Sequence, residues 1–416
     1  MEALGRVVAE AIVHHYGRQE LLRRLAHPFW FQSFGSVMGM DWHSSGITTS
    51  VMGALKRGLA PVAGELGIHV CGGRGRHSRR TPGELLAVGE RVGVDGDALG
   101  RTSRLVAKVD SAAVQDGFEL YLHSFVVTDD GAWTVVQQGM DPVRRQARRY
   151  HWLSEGLRDF VDEPHSAIDG PARGEILNLT DHRARRSRDA QLQLARAGPD
   201  GVLATLRQLR PESELRFELA ADPGRALPQL CMPAHHEVFP SDVLLRRLHG
   251  TLAAAAESDL VDFPELLLAP GVGARTVAAL ALVSEVVHGA PSRFSDPARY
   301  AMAHGGKDGH PFPVPLRIYD ETINVLRVAL ERARLGNDDR LAALRRLDRQ
   351  ARLLERSASG PGFTELAAEE RRRASEWGGR TVRDGPTAES TRKATRKRGR
   401  AVGRRTGQLP LPGLDT

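Results

Sequence analysis

Residues 117–140 read GFELYLHSFVVTDDGAWTVVQQGM. Both arms are rich in β-branched and aromatic side chains, and Asp129-Asp130-Gly131 makes the turn, so the stretch predicts a β-hairpin. Strict alternation along Phe118–Phe125 would put Glu119, Tyr121 and His123 on one face. Almost everything around it has helical spacing, which sets the fold class: α+β, mainly helical. Helices are expected over residues 4–16 and 18–40, the second broken at Pro28, and from Ile47 to Leu59. GIHVCGG (67–73) reads as a short strand. TPGELLAVGERVGV (81–94) opens a helix, with Thr81 as N-cap, Pro82 in the first turn and Glu84 closing a capping box. PVRRQARRYHWLSEGLRDFV (142–161) is expected to be helical.

These elements divide the chain into a mixed α/β domain over 1–197, containing the hairpin, and a proline-punctuated connector over 198–240. A helical domain follows over 241–358, then a basic tail over 359–416. The tail is rich in glycine, arginine and serine and reads as disordered. Net charge is +7, but TRKATRKRGRAVGRR (391–405) holds eight basic residues and no acid. Without it, 50 basic residues face 51 acidic ones, so the body is near neutral and the tail is the polyanion-seeking part. Cys71 and Cys231 form neither a disulfide framework nor a metal pair, which suits a reducing cytoplasm. No apolar run approaches the roughly 18 residues of a bilayer span. The N-terminus lacks the pattern of a signal peptide.

LLLAPGVGARTVAALAL (266–282) carries the functional expectation. A dinucleotide turn needs a third glycine, but position 276 is Thr, and the Leu-rich approach is not a β-strand. No Gly-Lys-Ser/Thr follows, which excludes a Walker loop. What remains is helix, tight turn, helix, with the amides of the second helix's start facing an anion. The stretch resembles the helix-hairpin-helix motif of DNA-repair proteins, notably base-excision glycosylases. The resemblance implies that Gly271, Gly273, Arg275 and Thr276 touch DNA phosphate without reading sequence. The glycosylases' Schiff-base lysine is replaced here by Arg275, which stays protonated. Asp296 sits at the offset of their essential Asp but reads as an N-cap before Pro297.

Longer strings carry a second resemblance. HPFWFQSFGSVMGMDWHSSGITT (27–49), AKVDSAAVQDGFELYLHSF (107–125), RRYHWLSE (148–155) and AHGGKDGHPFP (303–313) resemble an uncharacterised bacterial and archaeal family, domain of unknown function 763. Its members typically begin with a further segment, so the resemblance implies residues preceding Met1.

The polar residues of the first domain supply candidate chemistry. They are Asp41 and His43, then Lys108, Asp110, Gln115, Asp116, Glu119 and His123, then Gln137, Gln138 and His151. An acid before a hairpin with polar groups on both arms is how many metal-dependent nucleases hold Mg²⁺ or Mn²⁺ and a water. Which of these residues would ligate the metal is left open. His235-His236-Glu237 near Cys231 lacks zinc-enzyme spacing. CGGRGRHSRRTP (71–82) offers Arg74, Arg76, Arg79 and Arg80 as phosphate clamps, and Lys307 in HGGKDGH (304–310) offers another. At the C-terminus, Gln408, Leu409 and Leu411 resemble the peptide by which bacterial replication proteins dock on the sliding clamp. The expectation is a cytoplasmic, nucleoid-associated DNA-processing enzyme, a nuclease rather than a glycosylase. The rivals are a non-enzymatic DNA-binding accessory factor and a small-molecule or nucleotide enzyme.

Overall fold

The computed structural model describes residues 1–40, 44–208, 242–298, 316–332 and 342–347. Its centre is an antiparallel sheet in the order β1-β3-β4-β5-β6. The strands are β1 (Ile68–Arg74), β3 (Glu119–Thr128), β4 (Trp133–Asp141), β5 (Gln146–Leu153) and β6 (Ala167–Asp169). A short ladder of β2 (Val114–Gln115) and β7 (Leu177–Asn178) lies apart from it. The mainly helical α+β class and the hairpin at 117–140 are both present.

Alternation along the strands feeds two cores. Ile68, Val126 and Val136 face α1 (Glu2–Tyr16), α2 (Arg18–Ala26), α3 (Pro28–Val37), α4 (Ile47–Leu59) and the single turn α5 (Ala63–Leu66). Leu326 and Leu330 of α13 (Leu316–Arg332) join that core. Cys71, Phe125, Val127 and Val135 face the other way, toward α6 (Thr81–Val92) and α7 (Gly96–Lys108). The same cluster continues into α8 (Arg185–Ala197), α9 (Pro199–Gln208), α10 (Asp242–Ala256), α11 (Phe263–Leu268) and α12 (Ala274–His288). The segments expected as separate domains over 1–197 and 241–358 thus share one apolar core. Whatever lies over 209–241, and the tail from 359, falls outside the described residues.

Three local expectations are corrected. First, 146–153 is strand β5, paired with β4 on one side and β6 on the other. Its charged side chains read as the exposed face of a helix, yet Arg148, Arg149, Tyr150, His151 and Trp152 are all buried. A strand covered on both faces is normally apolar; here long polar side chains fill both sides and find partners. Second, the capping box is absent. Thr81 Oγ1 donates to the Ser78 carbonyl, 2.7 Å away, and Glu84 reaches instead to the Gly72 amide and to Lys56. Gly72 itself has φ +85°, and a Cβ there would collide with the His123 carbonyl. Third, a bulge between Leu120 and Leu122 breaks the alternation of β3. His123 therefore turns toward Ser103 of α7, while Tyr121 bonds Thr49 of α4.

The layers are tied by buried polar contacts. Arg149 pairs with Asp169 at 2.6 Å, donates to Gln32 and Thr48, and lies over the Phe31 ring. Its Nε donates to His151, whose Nδ1 meets the Leu25 carbonyl at 3.0 Å. Burial, reinforced by Arg149, pushes the His151 imidazole well below its ordinary range, so it sits there neutral. Removing one member of such a pair strands a buried charge, whereas replacing both is far less costly. Urea unfolding should therefore show Arg149→Met losing about 3–5 kcal/mol, with Arg149→Met/Asp169→Leu recovering most of it. An unchanged midpoint in the single variant would contradict the network.

Candidate functional site

The glycine stretch forms a turn between a short helix and a long one. Asp262 caps α11 by accepting the Glu265 amide at 2.8 Å. Val272 is buried and plugs the turn into the core. Gly271 supplies the left-handed residue, φ +81°, that brings the chain round. Gly273 is the N-cap of α12 and offers no side chain to the helix's first amides.

Two side chains of the sheet-bearing segment grip this turn. Lys108, at the end of α7, donates to the Val272 carbonyl. Gln115, in β2, donates to the Ala274 carbonyl at 2.8 Å. A peptide unit is planar and trans, so its N–H points opposite to its C=O. With these carbonyls turned toward Lys108 and Gln115, the amides of Gly273 and Arg275 point away from them. The positive end of the α12 dipole lies at the same place. Arg275 is exposed, whereas the Thr276 side chain is buried and has only its amide to offer. The ordinary pKa of Lys108 is lowered by burial.

The second basic feature is the turn Gly75–Arg80 that follows β1. It is fastened internally by Ser78 Oγ donating to the Gly75 carbonyl at 2.6 Å. Arg74, Arg76, Arg79 and Arg80 are exposed, and none forms an ion pair among the described residues. Arg74 lies 5.9 Å from the Tyr121 ring centre.

Most of the described residues expected to do chemistry are hydrogen-bonded within the fold. Both oxygens of Asp110 are taken: one accepts from His165 at 2.5 Å, the other from Trp152 Nε1 at 2.9 Å and from Gln137. Asp116 is equally engaged, with Arg148 at 2.9 Å, the Tyr150 hydroxyl at 2.7 Å and the Phe118 amide at 3.1 Å. Burial pushes its carboxyl above the ordinary range, against the pull of Arg148 and Tyr150. Arg148 also pairs with Asp296 at 2.6 Å, and Asp296, which accepts the Ala298 amide at 2.8 Å, anchors this network. His123 is buried between Ser103 and Gln137, and burial lowers its pKa. Gln138 is buried and donates to the Ser45 carbonyl. Glu119 is exposed at the start of β3.

A nuclease metal needs carboxylate oxygens with free lone pairs and room for water. Asp110 and Asp116 are buried, and each of their oxygens already accepts at least one hydrogen bond from the protein. Among the described residues no group of three or more His, Cys, Asp and Glu could hold a metal ion. Lys108 is placed against the glycine turn. Asp41, His43, Lys307, Gln408, Leu409 and Leu411, and the His235–Glu237 group with Cys231, lie outside the described residues. Sequence reasoning missed the Arg148 pairs, because the helical reading of 142–161 gave that side chain to solvent, and it missed His165, which lies beyond that segment. Asp141-Pro142, a turn-initiating dipeptide, was the signal against that helix.

The clamp is testable by amide exchange. In Lys108→Met/Gln115→Ala, the amides of Val272 and Val277, which close the turn and open α12, should exchange about tenfold faster or more. Unchanged exchange there would show that the turn holds itself.

No helix among the described residues is long and apolar enough to cross a membrane. No curated protein and no solved structure matches the chain. Residues 1–314 match the family described as a protein of unknown function, DUF763, which covers the strands, the arginine turn and the glycine turn alike. The chain belongs to the DUF763 family.

Proposed function

We propose that this protein is a DNA-binding factor of DNA repair or maintenance, which grips backbone phosphates without reading sequence. The observation that carries the reading is the pair of inward-held carbonyls, Val272 and Ala274, which leaves the amides at the start of an uncapped helix facing outward. That arrangement suits an anion. The helix-turn-helix sequence resembles the phosphate-binding hairpin of repair proteins. Arg74, Arg76, Arg79 and Arg80 add an exposed cationic turn, and the eight basic residues of 391–405 add non-specific attraction.

Between a nuclease and an accessory factor, the closed hydrogen bonding of Asp110 and Asp116 favours the accessory factor. Gln408, Leu409 and Leu411 are proposed to dock on a sliding clamp, which would bring a DNA-gripping body to replicating DNA at the nucleoid.

Titrating a fluorescent duplex at several salt concentrations tests the reading. Binding should weaken steeply with salt, and Arg76→Ala/Arg79→Ala/Arg80→Ala should reduce the slope of log affinity against log salt by about 2–3. Equal slopes, or no binding at low salt, would refute it. Incubation of the same DNA with Mg²⁺ or Mn²⁺ should leave it intact; cleavage would return the enzyme reading.

A further inference from the structure

The turn joining β4 to β5, Asp141 to Gln146, is the most exposed apolar point of the described surface. Val143 is 89% exposed, the highest of the exposed large apolar side chains among the described residues. The turn is nonetheless rigidly built. Asp141 Oδ1 accepts the amides of Val143 at 2.9 Å and Arg144 at 3.0 Å. Its Oδ2 receives Arg173 at 2.6 Å and Arg144 at 3.3 Å. The Arg144 amide first, then Arg173 and the Arg144 side chain, hold the Asp141 carboxyl down to about 2, so these bonds persist over the working pH range. Pro142 fixes its own φ at the first turn position.

Arg145 closes the turn with φ +54°, a left-handed conformation that glycine or asparagine takes at lower cost. Its side chain is exposed and makes no hydrogen bond or ion pair among the described residues. The fold therefore bears backbone strain at a position where the arginine contributes nothing to the fold.

The sheet register says where this turn lies. β1 ends at Arg74 opposite Leu122, β3 begins at Glu119 opposite Met140, and β4 ends at Asp141 opposite Gln146. The arginine turn after β1 and the β4–β5 turn thus occupy one end of the sheet. Gln115, which holds the glycine turn, lies just before β3 at this same end. The opposite end carries the acidic Asp129-Asp130 turn.

Resting on the DNA-binding reading above, we propose that the β4–β5 turn is a finger that enters a groove of the bound duplex. Pro142 and Val143 wedge against a base step, and Arg144 and Arg145 take the flanking phosphates. The turn lies at the cationic end of the sheet, and inserted apolar wedges are an established way of unstacking a base step. A tip already fixed by Asp141 and Pro142 loses little freedom on insertion.

A duplex carrying 2-aminopurine reports unstacking by a rise in fluorescence, and anisotropy on the same duplex reports binding. The wild-type chain should bind and raise the fluorescence. Val143→Ser should keep its melting temperature and salt slope, bind about tenfold more weakly, and lose the fluorescence rise. Arg145→Gly should melt at a higher temperature, because strain is relieved, yet lower the salt slope by about one. A purely structural turn would give the first effect without the second. Binding with no fluorescence rise, or a rise retained by Val143→Ser, overturns the finger alone. Absence of binding by the wild-type chain overturns the DNA reading and the finger with it.

Discussion

A half-buried ammonium determines how the glycine turn presents itself. Lys108 donates to the Val272 carbonyl, Gln115 to the Ala274 carbonyl, and peptide planarity then sends the neighbouring amides the other way. Without those donors the turn would still be a turn, since Gly271 and the Val272 plug make it one. It would not be oriented. Lys108 is delivered by α7, which is seated on the sheet through Ser103 and Val106, so orientation of the turn is inherited from the sheet.

The sheet in turn depends on buried ion pairs rather than on grease alone. Arg148 bridges Asp116 and Asp296, tying β5 both to the segment entering β3 and to the segment following α12. Arg149 ties the opposite face of the same strand to β6, α3 and α4. Consecutive residues on one strand thus fasten both layers. Such pairs contribute little net stability over apolar packing, but breaking one is costly, which suits them to fixing register and placement. That accounts for the place of the acids Asp110 and Asp116: each of their oxygens accepts a hydrogen bond from an element they hold in position.

The β-hairpin, the first four helices and the glycine turn were legible because each follows one local rule: alternation, helical spacing or punctuation by glycine. β5 was not, because its burial is polar, and hydrophobic periodicity cannot see a buried arginine whose partner lies 20 or 148 residues away, as with Asp169 and Asp296. The same blindness hid the structural partners of Asp110, Asp116 and Lys108. Their clustering in sequence was real, but their partners, His165, Tyr150 and the Val272 carbonyl, come from distant segments. The arginines of 74–80 were readable as exposed because glycines and a loop leave them nothing to pack against.

Position along the sheet organises the proposed function. Basic turns gather at the end where β1 and β4 finish, and the Asp129-Asp130 turn occupies the other. A polyanion approaching this body meets cations at one end and carboxylates at the other. Hydrogen–deuterium exchange of the full chain, with and without duplex DNA at low salt, tests this most directly. The account predicts protection at 74–80, 142–145 and 271–276 together, with 129–131 unchanged. Protection at 129–131, or none at the three basic turns when DNA is bound, would contradict it.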